Sequence, residues 1–156
     1  MIAIFRNYTP FAVFLLFLLT ILTRLAFINS PDIEIPFQSD YVLWNQAITG
    51  GSSLINGAVV LILIILQSLY INKIANRFDL FNNPTYLTAM TYILITGLVA
   101  SWNYLSIYLV VNLLVIALFE MCLRLYEGHN NPFIFVNIGI ISACITLIFW
   151  PGLLYL

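Results

Sequence analysis

The chain has 156 residues, of which 63% are hydrophobic and 7% charged, against the roughly 45–50% apolar share of an ordinary soluble domain. Five Lys and Arg against six Asp and Glu give a net charge of −1, and the basic residues are scattered, so the clustered cations that nucleic-acid binding needs are missing and no nucleic-acid partner is expected. A surface facing water cannot hide this much apolar side chain: the composition predicts an all-α, multi-pass transmembrane helical bundle of about five spans, a single domain over residues 1–156 whose solvent is the lipid bilayer.

The first predicted span covers residues 11–28. Arg6 followed by an apolar run imitates a secretory signal, but Arg24, Leu25 and Phe27 stand where a cleavage site wants small residues, so the segment reads as an uncleaved helix. An outer loop over residues 29–53 follows and carries Asp32, Glu34 and Asp40. Pro31 and Pro36 break any helix there, whereas Tyr41, Trp44 and Ile48 share one face of a short interfacial helix. In the plainest reading the three acids keep the loop solvated. In a sharper one, Asp32, Glu34 or Asp40 is a general base or a metal-binding acid at the surface where lipid-linked substrates present their head groups.

The second span is expected over residues 54–71, the third over 86–102, the fourth over 104–123 and the fifth over 133–150, each near the ~20 residues that cross a hydrocarbon core. Only a turn around Ser101, Trp102 and Asn103 separates the third from the fourth, which predicts a tight hairpin. On a five-span count Arg6, Lys73, Arg77 and Arg124 fall on one side, which the positive-inside rule assigns to the cytoplasm together with the N-terminus. Trp44, Trp102 and Trp150 then all lie at the outer interface, as an aromatic belt requires.

Polar groups within spans are costly, so each needs an explanation. Glu120 is the sole acid inside a span, and Arg124 one turn later is expected to form a structural ion pair with it while reaching for the interface. Gln67, Asn112, Asn137 and Thr146 are expected to hydrogen-bond between helices. Gly97 with Ser101, and Gly139 with Ala143, have the small-xxx-small spacing of helix-packing seams, within the chain or between chains. Cys122 and Cys144 fall at different depths and suit neither a disulfide nor a metal pair. His129 reads as a solvated loop residue, and with no phosphate-binding loop, dinucleotide fingerprint or zinc-protease helix in the chain, neither a metal nor a cofactor is expected.

The run from Met1 to Arg6 into a first span, then Tyr70 to Lys73 leading through Asn83, Pro84, Thr85, Tyr86 and Leu87 into the hairpin, and Asn112 to Arg124 beyond it, resembles an uncharacterised family of bacterial multi-pass inner-membrane proteins. That family in turn is faintly similar to the C-type membrane glycosyltransferases, in which an outer loop after the first span bears an essential acid. The resemblance implies a bacterial inner-membrane location. Two functions compete: a non-catalytic subunit or scaffold of a larger cell-envelope complex, partnered by other membrane proteins, or a lipid-linked sugar transferase. The second implies a polyprenyl-phosphate donor and a divalent cation, with catalytic acids among Asp32, Glu34 and Asp40 and with Arg24 binding the phosphate.

Overall fold

The structure is a computed structural model that describes residues 10–28, 53–81, 83–99, 102, 105–127 and 132–148. Five α-helices and no strand occur among the described residues: α1 (Pro10–Ile28), α2 (Ser53–Arg77), α3 (Leu87–Leu98), α4 (Ile107–Tyr126) and α5 (Pro132–Ile148). They fall into two compact units, Met1–Ser106 with α1 to α3, and Ile107–Leu156 with α4 and α5.

In the first unit, α1 starts with Pro10 in its first turn, where the missing N–H costs nothing. It turns Ala12, Leu16, Thr20 and Arg24 inward at strict four-residue spacing, one stripe of a helix. Phe11, Phe14, Phe17, Leu18 and Leu22 cover the other side and are exposed. Large apolar side chains at such density on an outer face suit contact with lipid or with another helix. Helix α2 contributes Val60, Ile64, Ile74 and Ala75 to the same core, and α3 contributes Ala89 and Ile93. The fully buried Leu16, Val60, Ile64 and Ile93 mark its centre.

The end of α2 is built with care. Leu80 N–H donates to the Ala75 carbonyl at 3.0 Å and Asp79 adopts φ 47°, the left-handed residue and 6→1 bond of a Schellman stop. Asn76 then ties the turn to the start of α3: its Nδ2 donates to the Thr85 carbonyl at 3.2 Å and its Oδ1 accepts from the Thr85 N–H at 3.1 Å.

In the second unit α4 and α5 pack on one another. Leu109, Val111, Ile116 and Glu120 are buried on α4, and Ile145 on α5. By length and composition two helical stretches are able to cross a bilayer, Asn56–Arg77 and Tyr108–Tyr126; Phe11–Arg24, Leu87–Leu98 and Pro132–Ile148 are shorter apolar stretches.

The helices differ from the expected spans in ways the backbone explains. Helix α2 runs six residues past Ile71 to Arg77, because no Gly or Pro interrupts it before the Schellman stop and a cation in its last turn suits the helix dipole. The third helix ends at Leu98, not Trp102, as Val99 turns extended (φ −95°, ψ 110°). Its 12 residues extend about 18 Å, short of the ~30 Å hydrocarbon core. Helix α4 begins only at Ile107, so residues 99–106 separate α3 from α4 in place of a three-residue turn.

Candidate functional site

The first unit carries an unusual amount of buried polar chemistry. Thr20, Arg24, Gln67, Ser68, Asn72, Thr85 and Thr96 are all buried. Three of these groups are satisfied locally: Thr20 donates to the Leu16 carbonyl at 2.8 Å, Ser68 to Ile65 at 2.9 Å and Thr96 to Ile93 at 3.1 Å. Such bonds back to the preceding turn let hydroxyls sit in an apolar interior without a cross-helix partner.

Other contacts cross between helices. Tyr92 on α3 donates its hydroxyl to Gln67 Oε1 on α2 at 2.7 Å. Arg24 on α1 reaches Thr96 on α3, with Nη2 at 3.4 Å from Oγ1, and the neighbouring Thr23 Oγ1 at 3.5 Å from Nη1. Both distances are long for hydrogen bonds from a cation. Arg24 is 5% exposed, and its Nε has no hydrogen-bond partner. Beside it Tyr92 meets Trp102 edge to face, ring centres 6.5 Å apart. Arg24, Thr96, Tyr92 and Gln67 thus form a polar path across the three helices, with a full positive charge at one end and no carboxylate bonded to it among the described residues.

Close approach of α1 and α3 makes the path. A Cβ at Gly97 would lie 3.1 Å from Thr23 Cβ, so the glycine lets the two backbones close up beside Arg24. The other small-residue pair behaves differently. Gly139 and Ala143 on α5 are exposed, and a Cβ at Gly139 would meet nothing within 4 Å.

In the second unit Arg124 donates to Glu120 at 2.5 Å; the Glu120 side chain is 7% exposed and that of Arg124 33%. Thr146 bonds its own helix at the Ala143 carbonyl, 2.9 Å away, rather than a neighbouring helix. Cys122 and Cys144 are free and exposed. No group of three metal-ligating side chains occurs among the described residues. Asp32, Glu34, Asp40 and Ser101 lie outside the described residues.

The roles of Tyr92 and Thr96 escaped the sequence reading, because a Thr and a Tyr in an apolar run look like ordinary filler. The pairing of Gln67 with a position 25 residues away depends on the register of the α2–α3 turn, which no local pattern encodes. Comparison with protein-family models, with curated proteins and with solved structures finds no match for this chain.

Proposed function

We propose that the chain is a multi-pass subunit or scaffold of a larger cell-envelope complex, lying in the bacterial inner membrane with about five spans and a cytoplasmic N-terminus, and without catalysis of its own. One observation supports this above others. Gly139 is a helical glycine that no contact within its own unit requires, although a glycine inside a helix costs about 1 kcal/mol relative to alanine. With Ala143 one turn on, it leaves a smooth strip on the exposed side of α5. Such a strip is what a bulky helix of another subunit packs into when lipid offers no hydrophobic drive for association. Gly97, by contrast, has its whole explanation inside the first unit.

The test is native mass spectrometry of the full chain extracted gently from its own membrane, comparing wild type with Gly139→Leu/Ala143→Leu. A stoichiometric protein partner on the wild type, lost from a double variant with unchanged helix content, is the expected result. A solitary wild-type chain, or a partner kept by the double variant, refutes the subunit reading.

The second reading, a lipid-linked sugar transferase, is favoured by the buried Arg24 alone. It requires Asp32, Glu34 or Asp40 as base or metal-binding acid, and it fails if Asp32→Asn, Glu34→Gln and Asp40→Asn together leave the biological function intact.

A further inference from the structure

Helix α5 meets the other helix of its unit with one side. Ile145 is buried, and Ile134, Ile138, Ile141 and Ser142 are half-buried. At about 100° per residue these five share one arc, the arc packed on α4. A different side of α5 carries Phe133, Asn137, Ile140, Cys144 and Leu147, all exposed. They follow one another by steps of four, three, four and three residues, the 3.5-residue period of a seam that packs knobs into holes against a second helix. The seam lies about a third of a turn from the arc on α4, and about a third of a turn from Gly139 on its other side.

Asn137 says what the seam faces. Its carboxamide makes no hydrogen bond among the described residues, although it sits more than a turn inside an apolar 17-residue helix. Thr146 on the same helix meets its need at the Ala143 carbonyl, a route that Asn137 does not take. Lipid offers an exposed amide no partner, so in a bilayer such a group bonds across to a neighbouring helix. The partner must both donate and accept at the same depth, and an identical amide does both.

Copies of one chain insert into a membrane with the same orientation. Two α5 helices therefore meet in parallel about a twofold axis along the bilayer normal, and each seam residue meets its own equivalent. A single asparagine in the core of a parallel helix pair is also the device that sets register and number of strands. We propose that α5 pairs with α5 of a second copy of this chain through Phe133, Asn137, Ile140, Cys144 and Leu147, the two Asn137 amides hydrogen-bonded to each other. The pairing rests on α5 lying in a bilayer, as in the reading above, and not on a different subunit at Gly139 and Ala143.

The chain carries its own probe, because the pairing brings Cys144 to Cys144 of the second copy within reach of a disulfide. Membranes holding the full chain with Cys122→Ser, which leaves Cys144 as its one thiol, are oxidised with iodine, and the products are separated without reductant and weighed by mass spectrometry. A disulfide-linked dimer of the chain is expected. With both native cysteines changed to serine, Ile140→Cys should cross-link as well and Ile138→Cys, on the α4 side, should not. Asn137 is exposed, so Asn137→Leu leaves the fold intact; it should weaken pairing about tenfold, read from the protein-to-lipid ratio at half-maximal cross-linking. Gly139→Leu should leave the cross-link unchanged, so loss of a different subunit and loss of self-pairing are separate results. Retention of the chain in carbonate-washed membranes checks the bilayer reading by itself. The proposal is overturned if Cys144 forms no dimer, or joins a different protein instead. It is equally overturned if Ile138→Cys cross-links as well as Cys144, or if Asn137→Leu pairs as wild type does.

Discussion

Replacing Gly97 by alanine sets two effects against each other, and the structure says which wins. Removing a glycine from a helix interior returns about 1 kcal/mol. The new methyl, however, would stand 3.1 Å from Thr23 Cβ, 3.4 Å from its Oγ1 and 3.5 Å from its Cγ2, where carbon pairs are comfortable at about 3.5–4.0 Å. Thr23 is poorly able to step aside. Its hydroxyl is held by the Leu19 carbonyl at 3.0 Å and the Thr20 carbonyl at 3.1 Å, and its branched Cβ is fixed by the helix backbone. Helices α1 and α3 must therefore part by several tenths of an ångström, an overpacking strain of about 1–3 kcal/mol.

The net expectation for Gly97→Ala is destabilisation of up to about 2 kcal/mol, and more for Gly97→Leu. Unfolding of the full chain in mixed micelles with rising denaturing detergent, followed by far-ultraviolet circular dichroism, measures it. The decisive arm is Thr23→Gly, which removes the opposing Cβ. In the double-mutant cycle Gly97→Ala should then recover its propensity gain, with a coupling of about 1–2 kcal/mol. If Gly97→Ala alone stabilises the protein and the cycle shows no coupling, the close approach of α1 and α3 is wrong, and with it the placement of Arg24 against Thr96.

Asn76→Ala should cost about 1–3 kcal/mol in the same assay, since both bonds to the Thr85 backbone are lost; Asn76→Asp, which keeps only the acceptor, should recover little of it. Asp79 holds φ 47°, so Asp79→Gly should raise stability by up to about 1 kcal/mol, and Asp79→Val should lower it by about 1–2 kcal/mol; equal effects would refute the Schellman stop. Arg124→Ala should destabilise more than Glu120→Ala, because it strands a carboxylate with 7% exposure while the reverse change leaves a partly exposed cation; the double variant should fall between wild type and Arg124→Ala.

Much of the helical layout is legible in the sequence, because apolar run length is a strong signal and α1, α4 and α5 start or stop within a few residues of their apolar limits. The ends of α2 and α3 were not legible. A Schellman stop usually announces itself with glycine, and here Asp79 takes the position, so the largely polar stretch from Asn72 onward read as loop although its first six residues are helical. Helix α3 stops at Leu98 with neither Gly nor Pro following, in a run whose hydropathy continues unchanged. For the candidate site, Arg24 stood out as a charge in an apolar segment, but its neighbours Thr96 and Tyr92 are 72 and 68 residues away, and only the packing of α1 against α3 brings them to it. Gly97 and Gly139 looked alike in sequence. The contacts at Gly97 and the open space at Gly139 separate a seam used inside a unit from one left exposed.

The two intrahelical arginines show why charge within an apolar helix has to be judged by its surroundings. Arg124 lies in the last turn of its helix, where the dipole favours a cation, whereas Arg24 stands one turn further in, four residues before Ile28. Arg124 has a carboxylate four residues back on its own helix, and its side chain is 33% exposed, so its charge is paired and partly solvated although its Nε, like that of Arg24, has no hydrogen-bond partner. Arg24 has neither. The position four residues back is Thr20, whose hydroxyl is spent on the Leu16 carbonyl, and 95% of the residue is out of solvent. Exchanging the two environments exposes the difference: Thr20→Glu places a carboxylate one turn below Arg24 and should satisfy it as Glu120 satisfies Arg124. With the charge of Arg24 paired, that substitution is expected to stabilise the first unit in the same unfolding assay. A variant of unchanged or lower stability would mean that Arg24 does not lack a counter-charge in the folded chain.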